Sequence, residues 1–177
     1  MILRPLRVDD EGEAIRAQRQ MLREDWPFLL GYTIGDDFEA YVARTDALNE
    51  GDEPWTKGGV PGWFFVAEDE GKIVGRLSLR SELNAYLRHF GGHLGYGVLP
   101  EFRGRGHAKA MLREGLRILR AAGTETALLT CDEDNPASRR VIESQGGRLL
   151  GLFPGEEVGA PRKCHFVFGD GELEVTR

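Results

Sequence analysis

Apolar and polar positions follow two rhythms along this chain, one of period two and one of period 3.6, and the changes between them mark the elements. Residues 72–80 alternate, with Ile73, Gly75, Leu77 and Leu79 on one face. They follow an apolar run at 63–67 across Glu70-Gly71, which predicts a β-hairpin. Residues 1–8 read as a short strand, and Asp9, Asp10 and Glu11 open a helix that runs to about Arg23. A second helix is expected at 36–48, then a loop at 51–62 with four Gly and two Pro, long enough to be a candidate lid. A strand at 93–99 ends at Pro100, and Leu112, Leu116 and Leu119 form one stripe of a helix at 108–122. The apolar run at 126–131 is the next strand, so strand, helix and strand predict a right-handed crossover between two parallel strands, buried on both faces. Asn135 then caps a helix with Pro136 first and Gly146-Gly147 beyond its end, and strands at 148–153 and 163–168 complete the sheet.

A length of 177 residues predicts one domain, 1–177, burying about 70% of its unfolded surface without metal or disulfide staples. Cys131 and Cys164 lie in apolar strands and read as reduced core thiols. No apolar run approaches the ~20 residues of a membrane span, and the charged N-terminus is unlike a signal peptide, so a cytoplasmic protein with no membrane partner is expected. The net charge of −6 disfavours nucleic acid. Residues 103–120 run against that balance: Arg103, Arg105, Lys109, Arg113, Arg117 and Arg120 face a single acid, Glu114. An anionic ligand could dock there, and a solvated helix face is the competing reading.

The strand-to-helix join carries the chemistry. In Arg103-Gly104-Arg105-Gly106-His107-Ala108, small residues let the backbone approach a ligand, and the first amides of the following helix suit a pyrophosphate. No Gly-Lys-Ser/Thr follows, and the glycines lack dinucleotide-fingerprint spacing.

That hexamer, with Asn135-Pro136-Ala137-Ser138-Arg139-Arg140 on the later helix, resembles the GNAT superfamily of N-acetyltransferases. The segments 81–84, 91–98 and 130–135 are similar to a bacterial subgroup of predicted acetyltransferases. The resemblance implies a mixed α/β domain whose central six- or seven-stranded sheet has splayed strands four and five and helices on both faces. It implies acetyl-CoA as cosubstrate, with pantetheine along Tyr96, Gly97, Val98 and Leu99, pyrophosphate on the amides from Arg105 to Ala108, and Asn135, with Ser138, near the pantetheine. Asn135 reads equally as a plain helix cap.

The implied reaction is attack of a primary amine on the thioester, with the amides of Val98 or Leu99 stabilising the oxyanion. Candidate bases are Glu82 and His93, each with a structural reading beside it. Asp132 and Glu133 could attract a cationic substrate or complement a helix dipole. Many relatives carry a Tyr where Ile142 stands, so Tyr96, Ser138, Cys131 or water is left to protonate the thiolate. Trp26, Phe28, Tyr32, Trp55 and Trp63 could line an acceptor slot or pack a core. The alternative to an enzyme is a non-catalytic acyl-CoA sensor; the expected partners are acetyl-CoA and an amine, and exposed sheet edges permit a homodimer.

Overall fold

The hairpin forms between β2 (Gly62–Asp69) and β3 (Lys72–Arg80), turning on Glu70 and Gly71, both at positive φ. The computed structural model describes residues 1–51 and 59–171. The chain divides into two compact units, Met1–Ser78 with Tyr96–Met111, and Leu79–Gly95 with Leu112–Arg177.

In the first unit, β1 (Ile2–Arg4) lies antiparallel to β2, with Leu3 opposite Ala67. The order β1-β2-β3-β4 makes β4 (Leu94–Val98) an outermost strand. Helix α1 (Glu11–Met21) buries Ala14, Ala17, Gln18 and Met21, the i, i+3, i+4, i+7 stripe of an amphipathic helix. Asp37 caps α2 (Phe38–Glu50) by accepting from the Ala40 amide at 3.1 Å, and Gly51 at φ 84° ends it. Phe28, Leu29, Tyr41, Phe64, Val66, Ile73 and Leu99 form the fully buried centre of this unit's core.

In the second unit, β5 (Ala127–Asp132), β6 (Arg148–Phe153) and β7 (Lys163–Phe168) form a sheet of order β5-β7-β6, antiparallel throughout. Helix α3 (His107–Ala121) enters this unit at Leu112 and buries Leu112, Leu116 and Leu119 as its stripe predicts. Helix α4 (Pro136–Ser144) follows β5. Cys131 and Cys164 face each other across the β5–β7 ladder as buried free thiols, and burial pushes Cys131 up to about 12.

Among the described pairings there is no ladder between the strands before and after α3. β4 ends the four-stranded sheet and β5 ends the three-stranded one. On its free edge β5 is approached within the second unit by Phe90, Gly92 and His93, the Thr130 hydroxyl donating to the Phe90 carbonyl at 2.6 Å. The His93 amide donates to the Leu128 carbonyl at 2.7 Å, and the Leu128 amide donates to His93 Nδ1 at 2.9 Å. An imidazole therefore stands where a continuing strand would present its next carbonyl, and the ladder stops there. The seven strands number as the family resemblance implies, but in sheets of four and three.

Candidate functional site

The turn into α3 is built within the first unit. The Leu99 amide donates to the Val74 carbonyl at 2.9 Å, a 3₁₀ turn follows at Pro100–Phe102, and Gly104 and Gly106 take φ 76° and 86°. A Cβ at either glycine would meet nothing within 4 Å, so backbone sign, not crowding, requires glycine. The Ala110 amide donates to the Gly106 carbonyl at 3.1 Å. The amides of His107, Ala108 and Lys109 precede it and have no carbonyl partner within the helix.

Side chains of α1 and of the short turn after it hold this loop from behind. Glu101 takes Arg16 at 2.9 Å and Gln20 at 2.7 Å, while Arg103 pairs with Glu24 and donates Nε to the Val98 carbonyl at 3.1 Å. The Arg103 guanidinium is thus spent on fixing the turn, and the expectation that it grips a ligand gives way to a positioning role. Arg105 is exposed, 5.5 Å over the Phe102 ring. His107 is buried, with Nε2 3.9 Å from the Asp69 carboxylate, and Ala108 is half-buried. Nothing in the sequence pattern pointed to Glu24, Arg16 or Gln20, because their partners lie 79 to 85 positions away.

The oxyanion candidates separate on β4. With its amide on Val74 and its side chain fully buried, Leu99 has no donor left for a ligand. Val98, one position earlier, presents its amide to the opposite edge, away from β3. Tyr96 lies half-buried on the same strand. Over Gly97 sits Trp26, so close that a Cβ there would meet its ring carbons at 2.3 Å, and the Arg76 guanidinium stacks 4.0 Å from that ring. Phe28 and Tyr32 belong to the core, Trp63 is half-buried, and Trp55 with most of the expected lid lies outside the described residues.

In the second unit, His93 is 6% exposed, and burial, aided by the Arg88 and Arg80 charges, pulls its imidazole down to about 4. It is neutral at pH 7 with Nδ1 occupied by the Leu128 amide, so its proton resides on Nε2 and neither nitrogen is a ready base. Glu82 is solvent-exposed just beyond β3 and makes no hydrogen bond or ion pair with the described residues. Asn135 Oδ1 accepts from the Ser138 amide at 3.0 Å, a helix cap that leaves the Nδ2 hydrogens for another acceptor. Ile142 is 1% exposed. Asp132 and Glu133 are paired with Lys163 and Arg162, which removes them as a free acidic lure. Among the described residues no cluster could hold a metal ion, and no helix is long and apolar enough to cross a membrane.

Comparison with known proteins assigns the chain to a family. A model of the Acetyltransferase (GNAT) family matches residues 17–146, more than half of the chain. An acetyltransferase of Photorhabdus laumondii is 36% identical over 116 residues, covering 61% of this chain and 78% of that protein. A mycothiol acetyltransferase of Streptomyces griseus is 39% identical over 94 residues, 53% of this chain, and the match spans only 29% of that longer protein. The Mycobacterium smegmatis RimJ structure, in complex with CoA-disulfide, shares the fold with a TM-score of 0.70 at 23% identity, covering 94% of this chain and 80% of that one. The chain belongs to the GNAT family of acetyltransferases.

Proposed function

We propose that this single-domain enzyme transfers an acetyl group from acetyl-CoA to a primary amine by direct attack on the thioester. The observation that carries the reading is the Gly104–Gly106 turn, whose two positive φ angles lead directly into the first amides of α3, which have no carbonyl partner within the helix. The amides from Arg105 to Ala108 hold the pyrophosphate, and exposed Arg105 adds charge. Asn135 offers Nδ2 to a pantetheine carbonyl while its Oδ1 and Ser138 stay in the cap.

The Val98 amide, on the open edge of β4, stabilises the developing oxyanion. An alkylamine of pKa ~10.4 needs about 4.6 kcal/mol to lose its proton at pH 7. With His93 committed to Leu128, Glu82 is the carboxylate that accepts this proton, through water where the amine does not reach it. Tyr96 returns a proton to the thiolate, and because a thiol has a pKa near 8.5, modest assistance suffices.

The test is thiol release from acetyl-CoA across a panel of amines, with acetyl-CoA affinity measured by calorimetry. Gly106→Glu, which places a Cβ-bearing, negatively charged residue at φ 86°, should weaken acetyl-CoA at least about 100-fold and abolish turnover. Undiminished binding in that variant would sink the site. The buried Ile142 at the position of the usual Tyr favours a sensor as second reading, which tight binding without turnover on any amine would establish.

A further inference from the structure

One sheet edge of the second unit stands bare. Elsewhere the described edges are short, covered or in use: β1 has three residues, β5 is met by Phe90, Gly92 and His93, and the open edge of β4 serves acetyl-CoA in the function proposed above. β6 is outermost in the order β5-β7-β6, with β7 on its inner side. No hydrogen bond joins the outer side of Arg148–Phe153 to any described residue. Leu149, Leu150 and Leu152 are 40%, 39% and 41% exposed, and no charge occurs from Leu149 to Gly155. Single exposed leucines are ordinary, but three on one unpaired edge form a template for a further strand, which folded proteins guard with charge or cover.

What covers this edge is indicated by the way it matches itself. In the ladder with β7, Leu149 lies opposite Phe166 and Leu152 opposite Cys164, while Leu150 is the extra residue of a bulge. The bulge therefore turns Leu149 and Leu152 to the same face. Arg148 opens the strand and Glu157 follows its end; both are exposed, and neither side chain pairs with a described residue. Glu156 beside them is taken by the Tyr86 hydroxyl at 3.2 Å. A two-fold axis normal to the sheet, between residues 150 and 151, runs two copies of β6 antiparallel. It sets Leu149 of each copy against Leu152 of the other and brings the Arg148 end of each to the Glu157 end of the other. Parallel pairing would put like charges together. An isologous contact demands this self-complementarity, and a strand from an unrelated chain demands none of it. We propose that β6 is a dimerisation edge to which a second copy of this chain adds its own β6, antiparallel, joining two three-stranded sheets into one. The inference is independent of the acetyltransferase reading.

The test is sedimentation equilibrium of the full chain over a dilution series, read as the dimer dissociation constant. Wild type should reach twice its 19.7 kDa by a concentration of about 100 μM. Leu150→Lys, which sets two like charges beside the axis, should weaken the dimer at least about 100-fold. Arg148→Glu and Glu157→Arg should each weaken it at least about fivefold, and the double reversal should return it to within about twofold of wild type. Neither misfolding nor a general loss of charge produces that rescue. Leu150→Cys gives a readout that leaves the interface uncharged: copper-catalysed air oxidation should join its thiol to that of the second copy as a disulfide. The proposal is overturned by a wild type that stays monomeric, which would leave the edge to a different chain. It is equally overturned by a dimer as tight in Leu150→Lys as in wild type, by a double reversal no tighter than either single one, or by Leu150→Cys that remains unlinked.

Discussion

At the scale of single residues, two histidines show how burial chooses between chemistry and architecture. His93 accepts the Leu128 amide through Nδ1, and His165 donates Nε2 to the His89 carbonyl at 2.7 Å, so both imidazoles serve backbone groups within one unit. Burial lowers both, His93 to about 4 from 6.5. The sign of the consequence follows from proton counting. Between pH 6.5 and about 4 the unfolded chain binds a proton at position 93 that the folded chain refuses, so stability is full above that window and falls as pH drops through it. For His93 the loss amounts to about 3 kcal/mol. His93→Leu should cost about 1–3 kcal/mol at pH 7, because the Leu128 amide is left buried without an acceptor, and should flatten the acid limb. Urea titrations from pH 4 to 7.5 measure both; an acid limb equally steep in the variant would refute the assignment.

Elements were legible in the sequence where their cause is local. Asn135-Pro136 and Gly146 bracket α4, Glu70-Gly71 turns the hairpin, and the Leu stripe fixes the buried face of α3. The glycine turn at 104 and 106 was legible for the same reason, since positive φ selects glycine wherever it occurs. What escaped depends on distant partners. The π-helical turn at Leu87–Gly91 has no periodic signature, and the division into two sheets turns on His93 meeting Leu128, 35 residues away. The pairing of Arg103 with Glu24, 79 residues away, has no local signature either. Helix α4 offers a test that separates architecture from ligand. Asn135→Ala should cost about 1 kcal/mol as a lost cap. Asn135→Asp keeps the capping oxygen but lacks the Nδ2 hydrogens, so it should retain stability while raising KM for acetyl-CoA about tenfold. Equal KM in wild type and Asn135→Asp would confine this residue to capping.

For the molecule as a whole, a net charge of −6 must be reconciled with an anionic cosubstrate. The basic run beginning at Arg103 is weaker than its composition suggests, because Arg103 pairs with Glu24 and Arg117 with Glu114. Field attraction is therefore modest, and in the binding mode we propose most of the affinity falls to the backbone amides at the start of α3, whose short-range hydrogen bonds salt screens little. Between 0.1 and 1 M ionic strength the screening length shrinks from about 10 to about 3 Å, which removes long-range attraction but leaves direct contacts. Acetyl-CoA at 100 times its Kd adds about 2.7 kcal/mol to the native state. For a chain of this size that corresponds to a rise in Tm of about 5–10 °C. The expected result is a shift of that order at low salt that keeps more than half its size in 1 M NaCl, measured by differential scanning fluorimetry at matched ligand concentration. A shift that vanishes in high salt would mean that side-chain charges, not the glycine turn, hold the carrier.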